Sequence, residues 1–271
     1  MKKIALDGNW IFYRDHGQGE PVILLHGWTG SSFDWARLLP LLAERRRVIA
    51  PDQLGFGRSD KPAAAYRLGL FTDLIAKLMA NLDIERCHLV GNSMGGHVAA
   101  AFALEHPQRL LSLTLVDAAG VEEGAPPTFK LGRFERTAGL LFRLVSLRAY
   151  DLQYRHLGPY HDSRWLTPDD VRGHYRSFGH PPGARAAAAC LHHIIADPAT
   201  QLDRRLRELK LPTLIVWGRQ DPLLPLRMSD VFLREIPHAQ RVLLDYCGHC
   251  PQEERPEQLR QVLERFWTHT A

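Results

Sequence analysis

An α/β fold, with a mostly parallel central sheet flanked by helices, is what this sequence predicts, and three observations carry the expectation. Short unbroken apolar runs alternate with longer helical patterns over the first hundred residues. That alternation stops between about Gly120 and Asp203, and it resumes at Leu211. Strands alternating with helices of this length imply βαβ units, whose parallel strands are buried on both faces and therefore read as continuous apolar stretches.

Taken in order, the strand candidates are Pro21-Val22-Ile23-Leu24-Leu25, Arg47-Val48-Ile49-Ala50, Cys87-His88-Leu89-Val90, Leu113-Thr114-Leu115-Val116, Thr213-Leu214-Ile215-Val216-Trp217 and Arg241-Val242-Leu243-Leu244. Helical patterns lie between them over Asp34 to Ala43, Leu70 to Leu82 and Gly95 to Glu105. The stretch without strand pattern holds Pro126-Pro127, Pro181-Pro182-Gly183 and many aromatics, Trp165 among them, so it reads as a helical insertion. It is too long for a structureless loop and long enough for a lid. The organisation expected is a core over residues 1–119, a helical cap over 120–203 and the rest of the core over 204–271.

Composition fits one domain with an insertion. The chain has 271 residues, 45% apolar and 24% charged, as in an ordinary globular protein with a sizeable core. Thirty-four Lys and Arg against 30 Asp and Glu are too balanced for a nucleic-acid binder. The N-terminus lacks the apolar region of a signal peptide, and no apolar run reaches the roughly 20 residues of a membrane span. Four cysteines give no disulfide framework at this length, so a cytoplasmic protein is expected. Nothing in the sequence speaks to oligomeric state.

In sheets of this type ligands bind at the carboxyl ends of the strands. Gly91-Asn92-Ser93-Met94-Gly95 sits at such an end, between a buried strand and an apolar helix. The G-x-S-x-G spacing has a steric cause: a sharp strand-to-helix turn holds the Ser in a strained conformation, and small neighbours let the chain bend that closely. Ser93 is thus the candidate nucleophile. Acyl transfer needs two N–H donors where the oxyanion forms. Met94, directly after the nucleophile, supplies one, and Trp28 in His26-Gly27-Trp28-Thr29-Gly30 supplies the other. His26 and, in the insertion, Trp165 are candidates for substrate contact.

The nucleophile needs a base, and the base needs a partner that fixes its tautomer. Of 14 histidines, His249 follows the last strand in Asp245-Tyr246-Cys247-Gly248-His249. Asp221 lies in the loop after the preceding strand, and Asp117, at the end of Leu113–Val116, is its rival. His97, one turn into the helix after Ser93, is expected to pack beneath the site. His192-His193 lack metal-ligand spacing, and no metal or cofactor is called for.

Five segments together resemble the α/β-hydrolase family: His26-Gly27-Trp28, Asp52-Gln53-Leu54-Gly55-Phe56-Gly57-Arg58-Ser59, Gly91 to Gly96, Gly218 to Pro222 and Gly248-His249. The resemblance covers nearly the whole chain and implies the α/β-hydrolase fold with a helical cap. The chain is similar to capped esterases and lipases and also to C–C bond hydrolases of aromatic ring cleavage. Haloalkane dehalogenases and epoxide hydrolases carry Asp where this chain has Ser93. The C–C hydrolases carry a G-x-G-P-type loop where this chain has Trp28-Thr29-Gly30-Ser31-Ser32. The expectation is carboxylic ester hydrolysis on apolar acyl substrates; C–C or lactone cleavage with the same triad, and a non-enzymatic ligand receptor on this fold, stay open beside it.

Two further motifs remain. Cys247-Gly248-His249-Cys250 spells a redox motif, but too little chain follows it for a thioredoxin fold, so it belongs to the His loop. Its Cys-x-x-Cys spacing leads one to expect an oxidisable pair with depressed pKa values. Phe129 to Tyr150 reads as a single amphipathic helix with Phe134, Ala138, Leu141 and Val145 on one face and Arg133, Arg136 and Arg143 on another. That basic face suits weak contact with an anionic lipid surface.

Overall fold

The computed structural model describes residues 1–123, 135–195, 200–203 and 205–268. Eight strands form one sheet: β1 (Lys2–Leu6), β2 (Asn9–His16), β3 (Pro21–Leu25), β4 (Arg47–Pro51), β5 (Cys87–Asn92), β6 (Leu110–Val116), β7 (Thr213–Gly218) and β8 (Gln240–Leu244). Their order across the sheet is β1-β2-β4-β3-β5-β6-β7-β8. From β4 to β8 every pairing is parallel, while β1 and β2 add an antiparallel edge. All six residues of β5 are buried, as are all six of β7. This is why their sequences read as unbroken apolar runs.

Helices α1 (Leu39–Ala43), α2 (Leu68–Asn81) and α3 (Met94–Glu105) connect the first strands. The pattern from Asp34 thus becomes a regular helix only at Leu39; turns precede it. Ten of the twelve α3 residues are buried, because the helix lies directly against the sheet. A methyl at Gly95 would stand 2.3 Å from the Leu25 carbonyl oxygen, so only glycine permits that approach. Val22, Leu24, Trp35, Val90, Val216 and Trp267 fill the core on one face, and Ile23, Leu25, Leu89, Phe102, Leu115 and Trp217 on the other. Each such large apolar side chain contributes on the order of 1.5–3 kcal/mol by leaving water.

Between β6 and β7 lie α4 (Glu135–Leu144), α5 (Leu147–His156), α6 (Pro168–Phe178) and α7 (Pro181–Cys190), with a π-helical turn at Leu191–Ile195. The chain leaves the core at Gly120 and returns beside it. Leu202 N–H donates to the Gly120 carbonyl at 2.8 Å, and Glu122 N–H to Asp203. Helices α8 (Arg227–Glu235), α9 (Pro251–Glu254) and α10 (Pro256–Thr268) complete the chain.

The single helix expected over Phe129–Tyr150 is instead two. The break falls at Val145-Ser146, where the Ser146 hydroxyl accepts from Ala149 N–H and caps α5. Serine competes with the helical backbone in just this way. Phe129, Arg133 and Phe134 lie outside the described residues, and so do the side chains of Arg136 and Ala138. Leu141, expected on the inward face, is 58% exposed alongside Leu140 and Leu144. Val145, from the same expected face, does line the cavity, and so does Phe142, whose ring is 5.5 Å from that of Trp28. Among the described residues no helix is long and apolar enough to cross a membrane.

Candidate active site

The carboxyl ends of β3, β5, β7 and β8 converge on one cavity of about 300 Å³, walled on its other side by α4, α5 and α6. Ser93 stands between β5 and α3 with φ 56° and ψ −121°, a region costly for a side-chain-bearing residue. The glycines around it make the bend feasible: a methyl at Gly91 would lie 2.2 Å from the Gly95 carbonyl oxygen. Asn92 braces the turn. Its amide donates to the Val116 carbonyl (3.1 Å) and to the His249 carbonyl (3.0 Å), and its oxygen accepts from Gln252 (3.2 Å). The nucleophile turn and the His249 loop are thereby held to one another.

His249 Nδ1 is 2.7 Å from Asp221 Oδ2. Asp221 Oδ1 accepts from the Leu223 and Leu224 amides at 2.7 and 2.9 Å, which fixes the carboxylate in its loop. The His249 backbone N–H donates to the Pro159 carbonyl, between α5 and α6, at 2.7 Å. Ser93 and His249 both line the cavity, yet no hydrogen bond joins their side chains in this structure. Such bonds commonly tighten only around substrate.

Asp117 sits behind this pair, fully buried at the end of β6 with φ 42°. Its Oδ1 accepts from Gly218 N–H at 2.9 Å, while Oδ2 meets no donor. Burial and then the charge of Asp221 push this carboxyl far above the usual carboxylate range. The protonated form of Asp117 is thereby favoured, and of the two acids only Asp221 hydrogen-bonds His249. Of the two acids singled out from sequence, the geometry favours Asp221.

The loop after β3 closes the other side. A methyl at Gly27 would come within 3.2 Å of Ser93 Cβ, so that loop lies against the nucleophile. Neither Trp28 N–H nor Met94 N–H donates to a protein acceptor among the described residues. Met94 opens α3, where the helix dipole favours negative charge. Two free N–H groups flanking a Ser can hold a developing oxyanion.

Two residues expected at the substrate stand elsewhere. His26 is wholly buried outside the cavity: its Nδ1 lies 2.8 Å from the Gly27 carbonyl and its Nε2 accepts from Gln53 N–H at 2.9 Å. With both ring nitrogens engaged, it pins the loop after β3 to that after β4. Trp165 packs against Tyr160 at 4.8 Å and under the Arg37 guanidinium at 4.2 Å, away from the cavity lining. His97 is buried beneath the site as expected, bonded to the Thr200 carbonyl, and burial pushes it down to about 4. The expected reactive cysteine pair is also corrected. Cys247 and Cys250 are free and buried, and burial with nearby carboxylates raises both thiols.

No sequence motif marks Glu254. Its carboxylate accepts from Gly248 N–H in the His249 loop (2.8 Å) and from His161 N–H in the cap (2.9 Å). Burial outweighs these bonds and raises the carboxyl to about 7. A raised acid binds its proton more tightly when folded, so its contribution is present at low pH and fades as pH rises from about 4.5 through 7. Relative to Glu254→Gln, the wild type should lose up to about 3 kcal/mol between pH 5 and 8, read as the difference in Tm between the two. A difference that stays constant or grows with pH would contradict this.

The α/β-hydrolase-fold family profile matches residues 20–256, the greater part of the chain. The chain belongs to the α/β hydrolase family. Within it, this α/β hydrolase is 31% identical to a 2-hydroxymuconate semialdehyde hydrolase of Pseudomonas sp. (strain CF600), over 93% of its own length and 88% of the relative's. It is 30% identical to Lipase 1 of Psychrobacter immobilis, over 98% and 83%. Among solved structures, a thermophilic esterase from Thermogutta terrifontis superposes with a TM-score of 0.83 at 27% identity, over 100% of this chain and 99% of that one. A semialdehyde hydrolase, a lipase and an esterase thus stand together among the proteins it is similar to.

Proposed function

We propose that this α/β hydrolase cleaves carboxylic esters through an acyl-enzyme on Ser93. One observation carries the choice of ester over C–C bond. Trp28, Phe142, Val145, Tyr150, Leu157 and Phe178 wall the cavity, among the described residues no Lys or Arg lines it, and His174, which does, already faces two carboxyl groups, Asp34 and Glu253. A muconate substrate brings a carboxylate, which in an apolar cavity needs a cationic partner. A neutral ester needs none. The loop Trp28-Thr29-Gly30-Ser31-Ser32 supports the same reading.

In the proposed reaction His249 accepts the Ser93 proton through Nε2 as Oγ attacks the ester carbonyl. Asp221, bonded to Nδ1, holds the imidazole in the tautomer that leaves Nε2 free and stabilises the imidazolium. The Trp28 and Met94 N–H groups take the oxyanion. His249 then protonates the departing alcohol and deprotonates the water that releases the acid.

A panel of p-nitrophenyl esters of two to twelve carbons, set against a 2-hydroxy-6-oxo-dienoate, tests the choice. Turnover of at least one ester with kcat/KM of about 10⁴ M⁻¹s⁻¹ or more is expected, with the dienoate at least 100-fold poorer. A dienoate cleaved faster than every ester would overturn the proposal.

A further inference from the structure

One part of the cavity wall is neither apolar nor used by the triad. His174, from α6 of the cap, lies between Asp34 of the loop after β3 and Glu253 of α9. Its Nδ1 is 3.4 Å from Asp34 Oδ1 and its Nε2 is 3.0 Å from Glu253 Oε2. The Tyr160 hydroxyl donates to the same Glu253 oxygen at 3.2 Å. The Phe33 and Tyr154 rings each stand 5.2 Å from the imidazole. Asp34, His174 and Glu253 are each at most 7% exposed, and all three line the cavity that holds Ser93.

The hydrogen bonds of this cluster are unevenly filled. Asp34 Oδ1 also accepts from Ser31 N–H, but Asp34 Oδ2 and Glu253 Oε1 accept from nothing among the described residues. Gly30 makes room for the first of these, since a methyl there would sit 2.0 Å from Asp34 Oδ2. Two carboxyl groups face one imidazole. Burial opposes charge on His174, yet the Glu253 charge and the bonds to Asp34 and Glu253 outweigh it and lift it to about 10. The same burial raises Glu253, so the surplus negative charge is held at a cost. A ligand group that brings hydrogen-bond donors relieves that cost; one that brings a carboxylate adds to it.

Resting on the ester-hydrolase reading above, we infer that Asp34, His174 and Glu253 form a specificity subsite for a hydrogen-bond-donating group, a hydroxyl or protonated amine, at the far end of an otherwise apolar ester, and that they bar carboxylates. A purely apolar cavity ranks substrates the other way, because a terminal polar group loses water without gaining a partner. The cluster also ties cap to core, so a test needs a readout that a merely structural clasp would not move. Substrate ranking within one protein is such a readout.

Two series test it. One is p-nitrophenyl hexanoates whose far carbon carries methyl, hydroxymethyl, aminomethyl or carboxylate; the other is acetates of the matching six-carbon alcohols. In at least one series the hydroxyl or amine member is expected to exceed the methyl member about tenfold in kcat/KM, with the carboxylate at least 100-fold below. Glu253→Gln and Asp34→Asn should each shrink the donor-to-methyl ratio about tenfold, whatever they do to overall stability. Methyl members preferred over both donors in both wild-type series, or a ratio unmoved in a folded variant, would overturn the subsite. Dissociation constants of the same compounds with Ser93→Ala protein should show the same ranking. That measurement separates failure of the subsite from failure of ester chemistry, since it needs no turnover.

Discussion

Ser93→Ala is expected to lower ester kcat by on the order of 10⁴-fold or more, to a residue of activity supplied by the oxyanion donors and binding alone. The stability of the fold should change by no more than about 0.5 kcal/mol, because one partly exposed hydroxyl is removed and Ser93 Oγ has no hydrogen-bond partner among the described residues. The backbone that places it is held independently, by Ser93 N–H on the Val116 carbonyl and by the Asn92 bonds to Val116 and His249. A variant retaining near-wild-type kcat with an unchanged Tm would remove Ser93 from the chemistry.

Asp221→Asn is expected to cost about 10⁴-fold in kcat as well. Asparagine there can present its amide N–H to His249 Nδ1, which stabilises the wrong tautomer and leaves no charge for the imidazolium. Asp117→Asn should cost less than about tenfold. Burial and the Asp221 charge already favour the neutral Asp117 carboxyl, and an Asn oxygen there still accepts from Gly218 N–H. The pair of variants separates two acids that each bring an oxygen within 4.8 Å of a His249 ring nitrogen, of which only Asp221 hydrogen-bonds it. Severe loss in Asp117→Asn with a mild effect in Asp221→Asn would reverse their roles.

These side chains differ in how readable they were from sequence, and the difference is physical. Strands β3 to β7 were legible because burial on both faces leaves an unbroken apolar run, and β8, only partly buried, through its Val242-Leu243-Leu244. The antiparallel edge was not: Lys2–Leu6 and Asn9–His16 are half exposed, and their polar residues hide the strand pattern. Ser93, Asp221 and His249 were legible because each sits in a loop whose glycines answer a steric need. Gly91 makes room for Gly95, and a methyl at Gly218 would strike the Gly248 carbonyl at 1.9 Å. The cap was legible only as helical. Which side of α4 meets Trp28 is a tertiary choice that periodicity does not encode. The polar cluster was invisible for a related reason. Asp34, His174 and Glu253 come from three distant segments and share no motif, so only the closed fold brings them together. His26 misled in the opposite sense: it lies in a site motif, yet its two ring nitrogens are spent on Gly27 and Gln53.

The most direct test of the central claim is titration with a fluorophosphonate, a reagent that phosphonylates an activated serine irreversibly. Ester turnover should fall in proportion to label incorporated, reach zero at one phosphonate per chain, and the label should map to the peptide carrying Ser93. Ester turnover that survives complete labelling of Ser93, or a label carried by another residue as activity is lost, would contradict it.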